Sequence, residues 1–280
     1  MSNIKHNNSN LNGNINVNYL FKAKTKEAFV FKVLGELLSN TLKFAPFRIN
    51  ETGIYLRQTD TKREQLLDIG FHKEKFTVFK CSSPINFIVS SNNFYKMLKN
   101  IKKKDSVIIY IREDEPDKLG ICVEQGEDNN KVSTTIKISY NQMEDINLPD
   151  GYNNPIIMNN KEFQKMKNLH NISKTILVNS ISGFIRFFCD GGDLYSREIT
   201  IGEIDEDDSN DNQYEQNFYT HHLTQLTKCA GQSGNVQIFV HEDLPLKIKM
   251  NLGNIGELTC YIKSKEMIDE EHVDSNNMND

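Results

Sequence analysis

Between Ser91 and Val123 the apolar positions first recur three and four apart and then every second residue. The same change of period returns between Thr220 and Leu252. Phe94, Met97, Leu98 and Ile101 stand at i, i+3, i+4 and i+7, which predicts an amphipathic helix over 93–103. Val107, Ile109 and Ile111 then alternate with Ile108 and Tyr110, which predicts a strand, and the acidic turn Glu113–Pro116 leads into another. In the later stretch Leu223, Leu226 and Ala230 mark a helix over 221–230, and Leu246, Ile248 and Met250 alternate with Lys247 and Lys249. A weaker echo links 26–56 to 161–187. Each begins Lys-Glu, runs through a helical pattern and enters strands after Gly53 or Gly183. Phe31, Leu34 and Leu38 form the apolar stripe of a helix over 27–38, and Phe163, Met166 and Leu169 that of a helix over 161–169. The pattern predicts two copies of one helix–strands–helix–strands unit. Strands outnumber helices, so the expected class is α+β, with antiparallel sheets covered on one side by short helices.

Turn chemistry divides the chain. Residues 139–154, rich in Asn and Asp and carrying Pro149 and Gly151, read as a connector between domains at 19–138 and 155–265. Within it Met143, Ile146 and Leu148 are apolar. Two roles are open to them: they pin the connector to a sheet, or they offer a docking strip. The Asn-rich residues 1–18 read as a disordered arm, and the acidic residues 266–280 as a disordered tail.

The formal net charge is −5, but the acids concentrate in loops and ends, notably 203–208 and the tail. The lysines follow the helices. Lys96, Lys99 and Lys103 lie off the apolar stripe of the second helix, Lys32 off the first, Lys161, Lys165 and Lys167 off the third, and Lys228 off the fourth. Gathered on one side, they make a surface suited to the phosphate backbone of a nucleic acid, which is read without regard to sequence. No zinc finger, helix-turn-helix or RNA-recognition pattern accompanies them. The five cysteines, at 81, 122, 189, 229 and 260, have no metal-ligand spacing and read as free thiols. No Ser/His/Asp order, phosphate-binding glycine loop or metal-ligand set suggests catalysis, and no cofactor is expected. No apolar run approaches the roughly 20 residues of a membrane-spanning helix.

From about Phe21 to Lys265 the chain resembles the proliferating cell nuclear antigen family of DNA sliding clamps. The resemblance rests on GIYLRQTD at 53–60, FYKMLK at 94–99, INLPD at 146–150, EDLPLKIKM at 242–250 and GELTCYIKSK at 256–265. It implies a non-enzymatic subunit of two similar domains, closed head-to-tail with further copies, a homotrimer in this family, around duplex DNA. Helices would line the hole, and Lys32, Lys96, Lys99, Lys103, Lys167 and Lys228 would face phosphates. A peptide pocket beneath the connector would take DNA polymerase and other clamp-binding proteins. It would use Thr59, Asp60, Arg63, Leu66, Ile146, Leu148, Pro245, Tyr261 and Ile262. Thr59, Arg63 and the pair Lys263-Ser264 depart from the family's usual residues, so a consensus peptide is expected to bind weakly. Subunits would meet through edge strands at 118–124 and 185–191, carrying Leu119, Ile121 and Val123 on one side and Ile185, Phe187 and Cys189 on the other. An ATP-driven clamp loader is implied as a partner. The site of work would be that of DNA replication, in the nucleus or in a viral compartment of the cytoplasm. A subunit of a mixed checkpoint clamp and a monomeric viral processivity factor of the same fold stay open as alternatives.

Overall fold

A computed structural model describes residues 18–126, 130–181, 183–193, 195–202 and 214–277. The predicted arm, apart from its last residue, and the acidic segment 203–213 lie outside these. The first half runs β1 (Tyr19–Thr25), α1 (Ala28–Thr41), β2 (Phe44–Asn50), β3 (Gly53–Thr59), β4 (Gln65–His72), β5 (Val78–Cys81), β6 (Ile85–Ser90), α2 (Ser91–Leu98), β7 (Ser106–Arg112), β8 (Glu115–Glu124) and β9 (Lys131–Lys137). The second runs β10 (Ile156–Asn159), α3 (Asn160–Gln164) with a 3-10 segment at Lys165–Asn171, β11 (Thr175–Ile181), β12 (Phe184–Asp190), β13 (Ser196–Ile201) and β14 (Tyr214–Tyr219). It ends with α4 (Thr220–Thr224), α5 (Thr227–Ala230), β15 (Asn235–Phe239), β16 (Leu246–Leu252), β17 (Gly256–Ile262) and α6 (Lys265–Asn277).

The strands form three antiparallel sheets, ordered β5-β1-β7-β8-β9, β13-β12-β11-β14 and β10-β15-β16-β17-β4-β3-β2-β6. The eight-stranded sheet joins the halves, because β17 pairs with β4 from Gly256↔Phe71 to Ile262↔Gln65. Helices from both halves pack into one layer: α2 on α1, α1 on α5, α5 on α3, and α4 on the 3-10 segment. Gly35 permits the close approach of α1 and α2, since a Cβ there would sit 3.1 Å from Leu98 Cδ1. Between helices and sheets lies an apolar core in which Phe31 stacks on Phe71 at 4.9 Å, and Phe94 and Phe163 are buried.

Three expectations change. The helix predicted over 93–103 stops at Leu98, and the chain turns where Asp105 accepts the Lys102 backbone N–H at 2.8 Å, still burying Ile101. The helix predicted over 221–230 breaks into α4 and α5. The Thr224 hydroxyl donates to the His221 carbonyl at 3.2 Å and Thr227 to that of Thr224 at 2.6 Å, a back-bonding that distorts helices. The acidic tail is helical through Asn277 rather than disordered. Ser264 Oγ accepts the Met267 N–H, Glu266 accepts from the Asn217 backbone and side chain at the margin of β14, Lys263 pairs with Glu271, and Ile268 is buried.

Candidate functional site

Lys96, Lys99, Lys103 and Lys167 project exposed from the helix layer. Two other predicted basic positions are partly committed within the molecule. Lys32 is half-buried and donates to the Ile101 carbonyl at 3.0 Å, and Lys228 is ion-paired with Glu36. Phe29 sits under both Lys32 and Lys103, its ring centroid 5.3 and 5.9 Å from their ammonium groups. Where the halves meet, Val33, Glu36, Lys167, His170 and Lys228 border an open hollow of about 410 Å³. The layer thus brings basic side chains of both halves to one face.

On the opposite face of the eight-stranded sheet, register sets a second site. Thr59 lies opposite Leu66, Leu66 opposite Tyr261, Tyr261 opposite Lys247, and Lys247 opposite Phe239. These five form one row across β3, β4, β17, β16 and β15. The residues between β9 and β10 cross the sheet. Arg57 holds the Ile146 carbonyl at 3.1 Å, and Arg48 holds Asp145 at 2.7 Å and the Glu144 carbonyl at 2.9 Å. Farther along, the Tyr152 hydroxyl donates to the Pro245 carbonyl at 2.7 Å, and its ring lies 6.3 Å from Tyr261 and 6.1 Å from Phe239. Ile146 and Leu148 are half-buried between these anchor points, and Met143 lines a hollow of about 280 Å³ with Phe44, Pro46 and Ile88.

The predicted pocket residues therefore divide. Thr59, Leu66 and Tyr261 lie in this row, Pro245 accepts the Tyr152 hydroxyl at its side, and Leu148 is half-buried on the connector that crosses it. Asp60 instead organises the β3–β4 turn, its carboxylate accepting the Gln65 N–H at 2.9 Å and its carbonyl the Arg63 N–H at 3.1 Å. Arg63 is exposed on that turn with φ +58°, left-handed backbone that the turn holds in place. Ile262 is corrected: it is wholly buried, because strand alternation points it to the core, away from its neighbour Tyr261. Tyr152, Lys247 and Phe239 were missed. The alternation along β16 does mark Lys247 as outward, but its aromatic neighbours come from other elements.

The predicted subunit contacts also change. Leu119, Ile121 and Val123 lie on β8, which pairs with both β7 and β9. Ile185, Phe187 and Cys189 lie on β12, which pairs with both β11 and β13. Neither is an edge, and Leu119, Ile121, Ile185, Phe187 and Cys189 are buried in the core. Among the described residues the sheets end one strand farther out, at β9 and β13. Each of these is paired on one side only and is polar along most of its length.

Cys122, Cys189, Cys229 and Cys260 are buried free thiols, and burial pushes Cys229 and Cys260 up to about 12, far from thiolate chemistry. Among the described residues no three His, Cys, Asp or Glu side chains gather as a metal site, and no helix is long and apolar enough to cross a membrane.

The chain is 25% identical over 259 residues to a probable DNA polymerase sliding clamp of Autographa californica nuclear polyhedrosis virus, covering 91% of this chain and 100% of the relative. It is 24% identical to probable DNA polymerase sliding clamp 1 of Paramecium bursaria Chlorella virus 1, over 88% of this chain and 97% of the relative. It is likewise 24% identical to proliferating cell nuclear antigen of Caenorhabditis elegans, over 91% and 100%. The family model for the N-terminal domain of proliferating cell nuclear antigen matches residues 20–148 and that for its C-terminal domain residues 147–265, and the chain belongs to this family of clamps.

Proposed function

We propose that this chain is the subunit of a sliding clamp that encircles duplex DNA and tethers DNA polymerase and other replication or repair enzymes, with no catalysis of its own. The observation that carries the reading is the helix layer, continuous across both halves, with exposed Lys96, Lys99, Lys103 and Lys167 on one face of a chain whose net charge is −5. Sparse lysines reach phosphates without reading bases, so the contact is sequence-independent and screened by salt, which suits sliding. Lys32 and Lys228 add to this field, weakened by their internal partners.

The ring closes by β9 of one copy pairing with β13 of the next. Unpaired strand edges favour such addition, and two different edges make a head-to-tail contact that repeats until it closes. Three copies give the homotrimer of the family. An ATP-driven loader opens the ring, and the work is done where DNA is replicated, in the nucleus or in a viral compartment of the cytoplasm. The groove under the connector takes the short peptide of client proteins, with Tyr261, Leu66, Leu148 and Pro245 as its apolar wall.

Native mass spectrometry over a dilution series tests the assembly. The expected species is three times 32.3 kDa, about 97 kDa. A monomer at micromolar protein contradicts the homotrimer and favours a mixed ring or a non-ring processivity factor.

A further inference from the structure

Lys247 sits in an aromatic cage. Its ammonium lies 4.5 Å from the Phe239 ring centroid, 4.9 Å from Tyr152 and 5.9 Å from Tyr261. Three separate elements supply those rings: β15, the connector and β17. The hydrogen bond from Tyr152 to the Pro245 carbonyl holds the connector's ring over the lysine.

Three other basic side chains near this groove have carboxylate partners. Lys249 pairs with Glu257 at 2.8 Å, Arg57 with Asp68 at 2.9 Å, and Lys263 with Glu271. Lys247 has none within ion-pair distance among the described residues, and Asp150 of the connector acts on it only at longer range. Partial burial, with Lys249 beside it, holds its ammonium below the usual lysine range. Aromatic faces stabilise a cation but accept none of its hydrogen bonds, so the N–H donors of this partly buried ammonium remain available to an incoming acceptor. The site therefore sets an ammonium with no carboxylate partner among the described residues against three aromatic rings.

We propose that the peptide recognised by this groove carries an acidic side chain beside its aromatic anchor, and that Lys247 is the residue that reads it. This rests on the groove being the client-peptide site. The peptide carboxylate accepts from the Lys247 ammonium while its aromatic side chains pack on Leu66, Leu148 and Tyr261. A carboxylate–ammonium hydrogen bond inside a partly desolvated groove is stronger than one between neutral groups, so it discriminates between peptides that share the same apolar anchor.

The test uses the full-length chain and a fluorescein-labelled consensus clamp-binding peptide with an aromatic pair. A single Asp is walked through the positions flanking the pair, each matched by an Asn peptide, and binding is read by anisotropy. At one position or more the Asp peptide is expected to bind about tenfold more tightly than its Asn match. Added salt should shrink that ratio, Lys247→Arg should keep it, and Lys247→Met, which keeps the apolar stem, should bring it within about twofold. Equal binding of every Asp and Asn pair by a protein that still responds to Tyr261→Ala overturns the acidic preference and leaves the groove assignment standing. An Asp preference that survives Lys247→Met overturns the role of Lys247. Absence of binding by every peptide, or binding that Tyr261→Ala does not change, overturns both the groove assignment and this inference.

Discussion

The two halves of the helix layer do the same job with unequal material. In the first half α1 runs unbroken from Ala28 to Thr41 and α2 lies close against it at Gly35. In the second half α3 gives way to a 3-10 segment after five residues, and α4 and α5 are two short pieces. Thr220, Thr224 and Thr227 explain part of the break. Branched hydroxyl side chains are poor helix formers, and two of these three bond back to carbonyls of the preceding turn. The broken half also buries an imidazole: His222 is buried with Nε2 3.5 Å from Glu64 of the first half. What both halves share is a buried phenylalanine beneath the layer and exposed lysines above it. Presenting basic points to a phosphate backbone requires a rigid footing, and an irregular helix with a filled core under it supplies one.

If the footing is what matters, the two anchors are equivalent. Phe94→Ala and Phe163→Ala should each lower the unfolding free energy by about 3–5 kcal/mol in urea titrations, through lost burial and the cavity left behind. A cost below about 1 kcal/mol at one of them would break the equivalence.

Acid should separate the halves. Burial, with His221 and Lys62 nearby, holds the His222 imidazole down to about 3, below its unfolded value near 6.5. The unfolded chain then binds the extra proton first, so stability is full above about pH 6.5 and falls as the pH drops toward about 3. We expect a loss of about 1–2 kcal/mol between about pH 7.5 and about pH 5.5, much reduced in His222→Gln, with a remainder from His221, which burial also holds below its usual range. The first half responds lower. Hydrogen bonds from Lys131 and Lys24 hold the Glu124 carboxylate at about 2, so its contribution is present above about pH 4.5 and fades toward about pH 2. A His222→Gln variant that keeps the neutral-to-acid slope would remove this distinction.

The smallest effects sharpen the lysine comparison. Exposed Lys96→Ala should reduce the slope of log affinity against log salt on duplex DNA by about 0.9, the value of one lost phosphate contact. Lys228→Ala should reduce it by less, because Glu36 already neutralises that ammonium. Equal reductions would mean that the ion pair opens on DNA.

Much of this was legible in the sequence, and the exceptions share physical causes. The repeat, the α+β class and the buried stripes follow from periodicity, which reports burial. An edge strand shows little of it. Lys131–Lys137 and Ser196–Ile201 are mostly exposed and polar, so no apolar alternation marks them as strands, and the interface carried over by position from the family resemblance fell one strand inward. The acidic tail has no apolar stripe of its own, and its helix is held by Asn217, Lys263 and buried Ile268. Tyr261 was a pocket candidate through the resemblance. The cage around Lys247 was not legible, because Phe239, Tyr152 and Tyr261 come together only through strand register and the path of the connector.

The central claim, that the helix layer lines a closed ring around duplex DNA, is tested most directly on nicked circular duplex. Protein loaded there with a clamp loader is challenged with salt, and the circle is then cut once with a restriction enzyme. The account predicts retention on the intact circle at salt that abolishes simple electrostatic binding, and release from the free ends after the cut. Equal retention on circle and linear duplex, or loss of both at the same salt, would contradict it.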